Sequence, residues 1–153
     1  MIKLITPIDT VDSSEAYAVG TRAILKGGNE YIYLPGVASC AQYDWVSYMT
    51  SNGLSYGSVT RLTNTAAGQV AIAQGAITNN KYGWFLIKGV GWGNAGEESS
   101  SGSVLYSCGT TATVTTVLER YMQIHGAFTI GAGVSGGTVK VFIRYPFLLG
   151  QKG

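Results

Sequence analysis

The segment Gly91-Trp92-Gly93-Asn94-Ala95-Gly96 has the G-x-G-x-x-G spacing of a dinucleotide-binding turn. In such a turn the last glycine leads into a helix whose N-terminal amide groups hold a pyrophosphate. Here a stretch rich in Glu, Ser and Gly follows, with weak helix propensity and with two carboxylates where phosphates need positive potential. The sequence therefore predicts a glycine-rich turn between two antiparallel strands, not a nucleotide site.

Groups for nucleophilic catalysis are few, and His125 is the only histidine. It could serve as a general base for Cys40, for Cys108, or for a serine with Asp44 as the orienting carboxylate. No motif holds these groups together, so we expect a structural histidine, no catalytic residues and a protein that is not an enzyme. The cysteines lack metal-ligand spacing, and buried free thiols are expected, with a structural disulfide as the alternative.

Acidic and aromatic residues suggest two binding chemistries. Asp9, Asp12 and Glu15 could touch a hard cation, but they lack the dense oxygen ligands and the glycine turn of a calcium loop. An acidic segment that is solvated or faces a partner is expected instead, and no metal or cofactor is predicted. Trp45 and Trp92 could stack on sugar rings if exposed, although most tryptophans pack in β cores. Carbohydrate binding stays open.

The composition indicates that strands position these residues. The chain has 153 residues, 22 of them glycine and only 12% charged, a mixture that favours strands and turns. This length fits one domain. The ten basic residues are scattered and the net charge is +2, so no basic track for nucleic acid is expected. Polar residues and glycines interrupt every uncharged stretch, and the N-terminus lacks a secretion signal, so no membrane contact is expected.

Ten strands are predicted, near residues 17–25, 29–34, 43–49, 58–63, 69–74, 82–92, 103–107, 111–118, 122–130 and 137–145. Gly27-Gly28-Asn29 predicts a tight hairpin turn. In the last strand, apolar residues alternate with Lys140 and Arg144, and Pro146 is expected to close it. The pattern predicts an all-β fold, a compact antiparallel β-barrel or sandwich. Residues 17–153 form its single domain and residues 1–16 an extended N-terminal arm.

Four segments follow one another in a recognisable order: Val19-Gly20-Thr21-Arg22, residues 28–34 with Val37-Ala38-Ser39, residues 82–89, and residues 136–141. Over most of residues 17–145 this order resembles the small head decoration (capsid cement) proteins of tailed bacteriophages. The resemblance implies a structural protein of the virion, synthesised in the bacterial host cytoplasm. It would sit on the outer capsid surface as a homotrimer, stabilise contacts between major capsid protein subunits, and need no cofactor.

The resemblance also implies where contacts lie. In that family the arm often supplies capsid contacts, which here would come from Ile5, Pro7, Ile8, Asp9 and Asp12. The oligomer interface is expected to hold Trp84, Trp92 and Tyr145. One face of the strand at 84–88 would pack the core while the other is free for a neighbour, and Trp92 would lie at the tip of a glycine loop. A phage tail-fibre or spike module that binds host glycans is the alternative.

Overall fold

The computed structural model describes residues 1–4, 7–25, 27–51, 55–96, 99–108, 110–117, 122–133 and 137–149. Within them lie twelve strands: β1 Ile2–Lys3, β2 Val11–Asp12, β3 Arg22–Ile24, β4 Glu30–Pro35, β5 Trp45–Ser51, β6 Ser55–Arg61, β7 Gly68–Ala73, β8 Tyr82–Asn94, β9 Val104–Ser107, β10 Val114–Thr115, β11 Gln123–Thr129 and β12 Thr138–Leu148. The all-β prediction is confirmed, since every predicted strand is matched and only β1 and β2 are additional. In this part of the chain no helix has the length and apolar character to cross a membrane.

The strands form one sheet, which is antiparallel except where β1 runs parallel to β3. Its order is β1-β3-β4-β8-β7-β12-β11-β9-β10. In addition, β2 pairs with β8, β8 also pairs with β12, and β5 pairs with both β6 and β7. The sheet is open, because this path ends at β1 and β10 instead of closing on itself. Barrel and sandwich are therefore both loose descriptions of it.

The predicted turn at Gly27-Gly28-Asn29 is confirmed. Gly27 and Gly28 have φ values of 110° and 89°, which glycine adopts without a steric penalty. The Gly28 amide donates to the Leu25 carbonyl and the Leu25 amide donates to the Asn29 carbonyl, each at 3.0 Å. These bonds join β3 to β4 as a tight hairpin.

The central strands are buried on both faces. On β8, Trp84 and Leu86 pack into one apolar cluster and Phe85 and Ile87 into a second, none of them more than 1% exposed. The division follows from the period of two along a strand. The expectation that one face of this segment is free for a neighbour is therefore wrong, because Ile77 and other residues of the second cluster cover it.

Strand β12 continues past Pro146, which was expected to close it. Its pairing is with β8 up to Arg144 and with β7 from Phe147 onward. At the step between these partners Tyr145 has a φ of 47°. Proline has no amide hydrogen to donate, and it is tolerated here because the ladder is already interrupted.

Residues of the predicted arm lie against the domain. β1 pairs with β3, and β2 pairs with the start of β8. Leu4 is 7% exposed and belongs to the core, and the Tyr33 hydroxyl donates to Asp12 Oδ2 at 2.6 Å. Burial and then the Asp12 carboxylate raise the pKa of Tyr33, which keeps this donor protonated. A domain boundary at residue 16 stays a prediction.

Candidate protein-binding face

Beyond Lys88, β8 and β12 join β11 and β9 in a part of the sheet with one side open to solvent, here called the outer face. Cross-strand pairing aligns Val90 with Phe142, Phe142 with Phe128, and Phe128 with Val104. We call these four residues the apolar row. The rings of Phe128 and Phe142 have centroids 5.3 Å apart, so the row is continuous across its middle.

The apolar row is accessible to solvent. Val90 and Val104 are each 40% exposed and Phe128 is 42% exposed, with Phe142 half-buried among them. Exposed apolar side chains that occur singly are ordinary in proteins. A contiguous set that crosses four strands is instead typical of a surface that contacts another molecule.

The alternation of β12 explains why Phe142 belongs to this surface. The core side of β12 holds three fully buried aliphatic residues, Val139, Val141 and Ile143. The period of two then places Phe142 on the outer face, between Lys140 and Arg144. An aromatic residue between two cations on the polar side of a strand is the signal that identifies the row in the sequence. The other three row residues carry no comparable signal.

The three residues expected at an oligomer interface lie in different surroundings. Trp92 pairs with Lys140 next to the apolar row and is 44% exposed. Tyr145, farther along β12, is 43% exposed. Trp84 is buried, with its ring centroid 5.1 Å from that of Tyr33. Of the three, only Trp92 and Tyr145 are accessible to a neighbour.

Trp92 lies within β8 and not at the tip of a loop, so the predicted glycine-rich turn is wrong. Gly91 and Gly93, on either side of Trp92, allow core side chains to lie close to the backbone of β8. A Cβ on Gly91 would lie 2.5 Å from Leu86 Cδ2, and one on Gly93 would lie 2.5 Å from Trp45 Nε1. Any larger residue would collide with this core. Gly91 and Gly93 are thus explained by the close approach of core side chains to β8.

Two cations flank Phe142, the β12 member of the apolar row. Lys140 and Arg144 are exposed, and neither forms an ion pair within the described residues. Lys88 differs, because its Nζ lies 2.8 Å from Glu30 Oε1. The Tyr145 hydroxyl donates to the other oxygen of Glu30 at 2.5 Å. Among the residues that the structure describes, the uncompensated charge of the outer face is therefore positive.

Glu30, at the start of β4, is 5% exposed. Its bonds to Lys88 and Tyr145 connect β4 to the edge of the outer face. The hydrogen bond from Lys88, and then that from Tyr145, lower the pKa of Glu30 against the opposing effect of burial. The bond to Glu30 in turn raises the pKa of Lys88 and of Tyr145. Because the folded state favours the ionised carboxylate, its contribution to stability is present above the ordinary carboxyl pKa. That contribution is lost as the pH falls through the lowered folded pKa.

Replacing Glu30 with glutamine is expected to lower the free energy of unfolding at pH 7 and to flatten its fall between about pH 5 and pH 3. The slope of the unfolding free energy against pH measures how many more protons the unfolded state binds than the folded state. This number should fall by less than one in the variant, since one carboxyl group is removed. Tyr145→Phe, which keeps the Lys88 contact, should flatten the profile less. Urea unfolding at pH 7, 5 and 3 measures this. A Glu30→Gln profile parallel to wild type would contradict the assignment.

The candidate catalytic groups have other partners. Asp44 Oδ2 lies 3.0 Å from Arg61 Nε, and its Oδ1 accepts from Asn94. His125 stacks on a phenylalanine ring instead. Cys40 and Cys108 are buried free thiols. Burial, and then the Asp44 charge, raise the pKa of Cys40 to about 11, which leaves it protonated and weakly nucleophilic at neutral pH.

The acidic residues near the N-terminus do not converge. Within the described residues no group of three or more His, Cys, Asp or Glu side chains could hold a metal ion. Pro7 and Asp9 are exposed, Ile8 is half-buried against the core, and Asp12 accepts from Tyr33. Ile5, the remaining predicted arm contact, lies outside the described residues.

No protein-family model, curated protein or solved structure matches this chain. The outer face is the feature of the fold that suits a function in binding. That face combines an apolar row with the exposed Trp92 and with two cations that have no ion-pair partner among the described residues. Such a combination favours contact with another macromolecule.

Proposed function

We propose that this chain is a structural protein of a phage virion. It binds the outer surface of the capsid as an oligomer and stabilises contacts between major capsid protein subunits. The observation that carries the proposal is the exposed apolar row, which offers a binding surface on strands that are hydrogen-bonded to one another. The resemblance of residues 17–145 to capsid cement proteins supplies the biological setting.

The outer face suits binding because its backbone is already ordered. Asn29 Oδ1 accepts from the Val90 amide at 3.0 Å, and Asn29 Nδ2 donates to the Val90 carbonyl at 2.8 Å. On its other side Val90 pairs with Phe142 of β12. A surface held in this way loses little conformational entropy on association. Contact of this kind involves no reaction and needs no cofactor.

Oligomerisation explains how modest surfaces could hold a shell together. A trimer that touches several capsid subunits gains avidity of about 10² to 10⁴ over a single contact. Trp92, beside the row, is the type of side chain that anchors such interfaces. The capsid contacts of the N-terminal arm remain an expectation of the resemblance.

A tail-fibre or spike module that binds host glycans is the second candidate, and Trp92 favours it. Its indole is 44% exposed and lies beside the exposed side chain of Lys140. An exposed aromatic ring can stack on a sugar while neighbouring polar groups bind its hydroxyls.

Co-sedimentation with expanded heads of the encoding phage tests the proposal. Wild-type protein is expected to pellet with the heads. Phe128→Asp is expected to reduce binding at least about tenfold, because a charge in the middle of the row disfavours an apolar contact and its avidity. Val117→Asp is the matched control, since Val117 is 40% exposed and lies outside the row. Substitution is preferable to deleting residues 1–16, which would remove Leu4 from the core.

Two results would count against the capsid function. The first is folded wild-type protein that leaves expanded heads unbound at micromolar concentration. The second is equal binding by wild type and Phe128→Asp, which would remove the row from the contact. Binding to purified host glycan that disappears in Trp92→Ala would establish the second candidate instead.

A further inference from the structure

We propose that the outer face binds the acidic N-terminal segment of a second copy of this chain, in a head-to-tail contact. The acidic segment comprises residues 7–17 and carries Asp9, Asp12 and Glu15. The inference rests on the proposed function, in which the protein acts as an oligomer on the capsid. It assigns the segment to a neighbouring copy, where the resemblance alone would assign it to the capsid.

The outer face requires a partner with carboxylates. Lys140 and Arg144 are exposed and unpaired within the part of the chain that the structure describes. The charge of Lys88 is offset by Glu30, whereas Arg22 adds a further cation at this edge. An apolar surface rimmed by positive charge is best complemented by an apolar surface rimmed by negative charge.

The acidic segment has this complementary chemistry. Asp9 and Glu15 are exposed, and Val11 between them is 36% exposed, so the segment offers apolar as well as charged groups. Lys81 approaches the segment, with its Nζ 3.0 Å from Ser13 Oγ. One ammonium group offsets only part of three carboxylates, and the segment stays negative.

The two surfaces cannot pair within one chain. β2, inside the acidic segment, pairs with β8 at Tyr82 and Gly83. The outer face begins beyond Lys88 and extends past Trp92, at the other end of β8. Gly83 lies about 16 Å along β8 from Lys88, which pairs with Arg144, and about 30 Å from Trp92, which pairs with Lys140. Both separations exceed the reach of a side chain and the Debye length of about 8 Å at physiological ionic strength. Their attraction therefore acts between copies.

The sign of the charges also selects the geometry of association. Two copies meeting outer face to outer face would bring Lys140 and Arg144 of both copies together, which is repulsive. A head-to-tail contact brings the acidic segment of one copy to the cations of the next. Contacts of this type repeat around a ring when the rotation between copies closes. The trimer of the proposed function would be such a ring, closed after three copies.

Sedimentation velocity of the purified protein alone tests the contact. Lys140→Glu with Arg144→Glu reverses the face, Asp9→Lys with Glu15→Lys reverses the segment, and a fourfold variant reverses both. Each reversal alone should weaken self-association at least about tenfold at low salt, because like charges then meet. The fourfold variant should recover it, since the attraction returns with the signs exchanged. Wild-type association should weaken toward 1 M salt, where the Debye length is about 3 Å.

Circular dichroism and thermal unfolding establish that each variant is folded. The contact is overturned if wild type remains monomeric at low salt, if the segment reversal leaves association unchanged, or if the folded fourfold variant stays monomeric. Heads are absent from this assay. An oligomer that fails to pellet with heads would refute the capsid function and leave the contact standing. A monomer that pellets would overturn the contact and leave capsid binding itself standing.

Discussion

Replacing Trp45 with alanine is expected to lower the free energy of unfolding by about 3–5 kcal/mol. Trp45 is fully buried, and its Nε1 donates to the Asn94 carbonyl at 3.1 Å. The substitution removes a large apolar side chain, leaves a cavity and deprives a carbonyl of its donor. A domain of this kind has about 5–15 kcal/mol of stability in total. Urea unfolding followed by circular dichroism measures the change.

Trp92→Ala is the matched control for this prediction. Trp92 is 44% exposed, so its removal should change the stability of dilute protein by no more than about 0.5 kcal/mol. The two tryptophans thus differ in burial, although their sequence contexts allow either of them to stack on sugar. Equal losses in the two variants would contradict the placement of Trp45 in the core.

Gly93→Ala is expected to cost about 1–3 kcal/mol, the usual penalty for overpacking a core. The added Cβ would lie 2.5 to 2.7 Å from three atoms of the Trp45 indole, which is rigid. Trp45→Phe in the same chain should relieve this overpacking, because the smaller ring leaves part of that space empty. The double variant should therefore lose less stability than the two single losses added together. The same urea unfolding assay applies.

Gly96→Ala controls for the loss of glycine as such. The nearest atoms to a Cβ at Gly96 lie 3.8 Å away, an ordinary contact, so stability should change by no more than about 0.5 kcal/mol. If Gly96→Ala proved as costly as Gly93→Ala, close packing against Trp45 would not explain the glycines of β8.

The strand pattern was readable from local sequence, with the exceptions that long-range contacts introduced. Residues 111–118 were predicted as one strand, but β10 covers only Val114–Thr115. Ala112, just before it, has a φ of 63° and is fully buried. Its amide donates to the Leu62 carbonyl at 2.7 Å, a bond to a distant part of the chain. No property of the local sequence specifies that bond.

The candidate site was less predictable than the strands. Residue type predicts interface roles for Trp92 and Tyr145, and both side chains are exposed. The same reasoning applies to Trp84, which is buried. Residue type does not identify Phe128, because its importance comes from a partner, Phe142, on another strand. Residue type and alternation do not reveal which strands become neighbours.

The sequence by itself determined the all-β class, the Gly27-Gly28-Asn29 turn and the division of each strand into two alternating faces. These features depend on backbone conformations and on a two-residue period, which are local. The tertiary structure alone decided that residues 84–87 are covered on both faces while residues 88–94 keep one face open. It also aligned Val90 with Val104 across two intervening strands. Coverage and register arise from contacts between residues far apart in the chain, so they are properties of the assembled sheet.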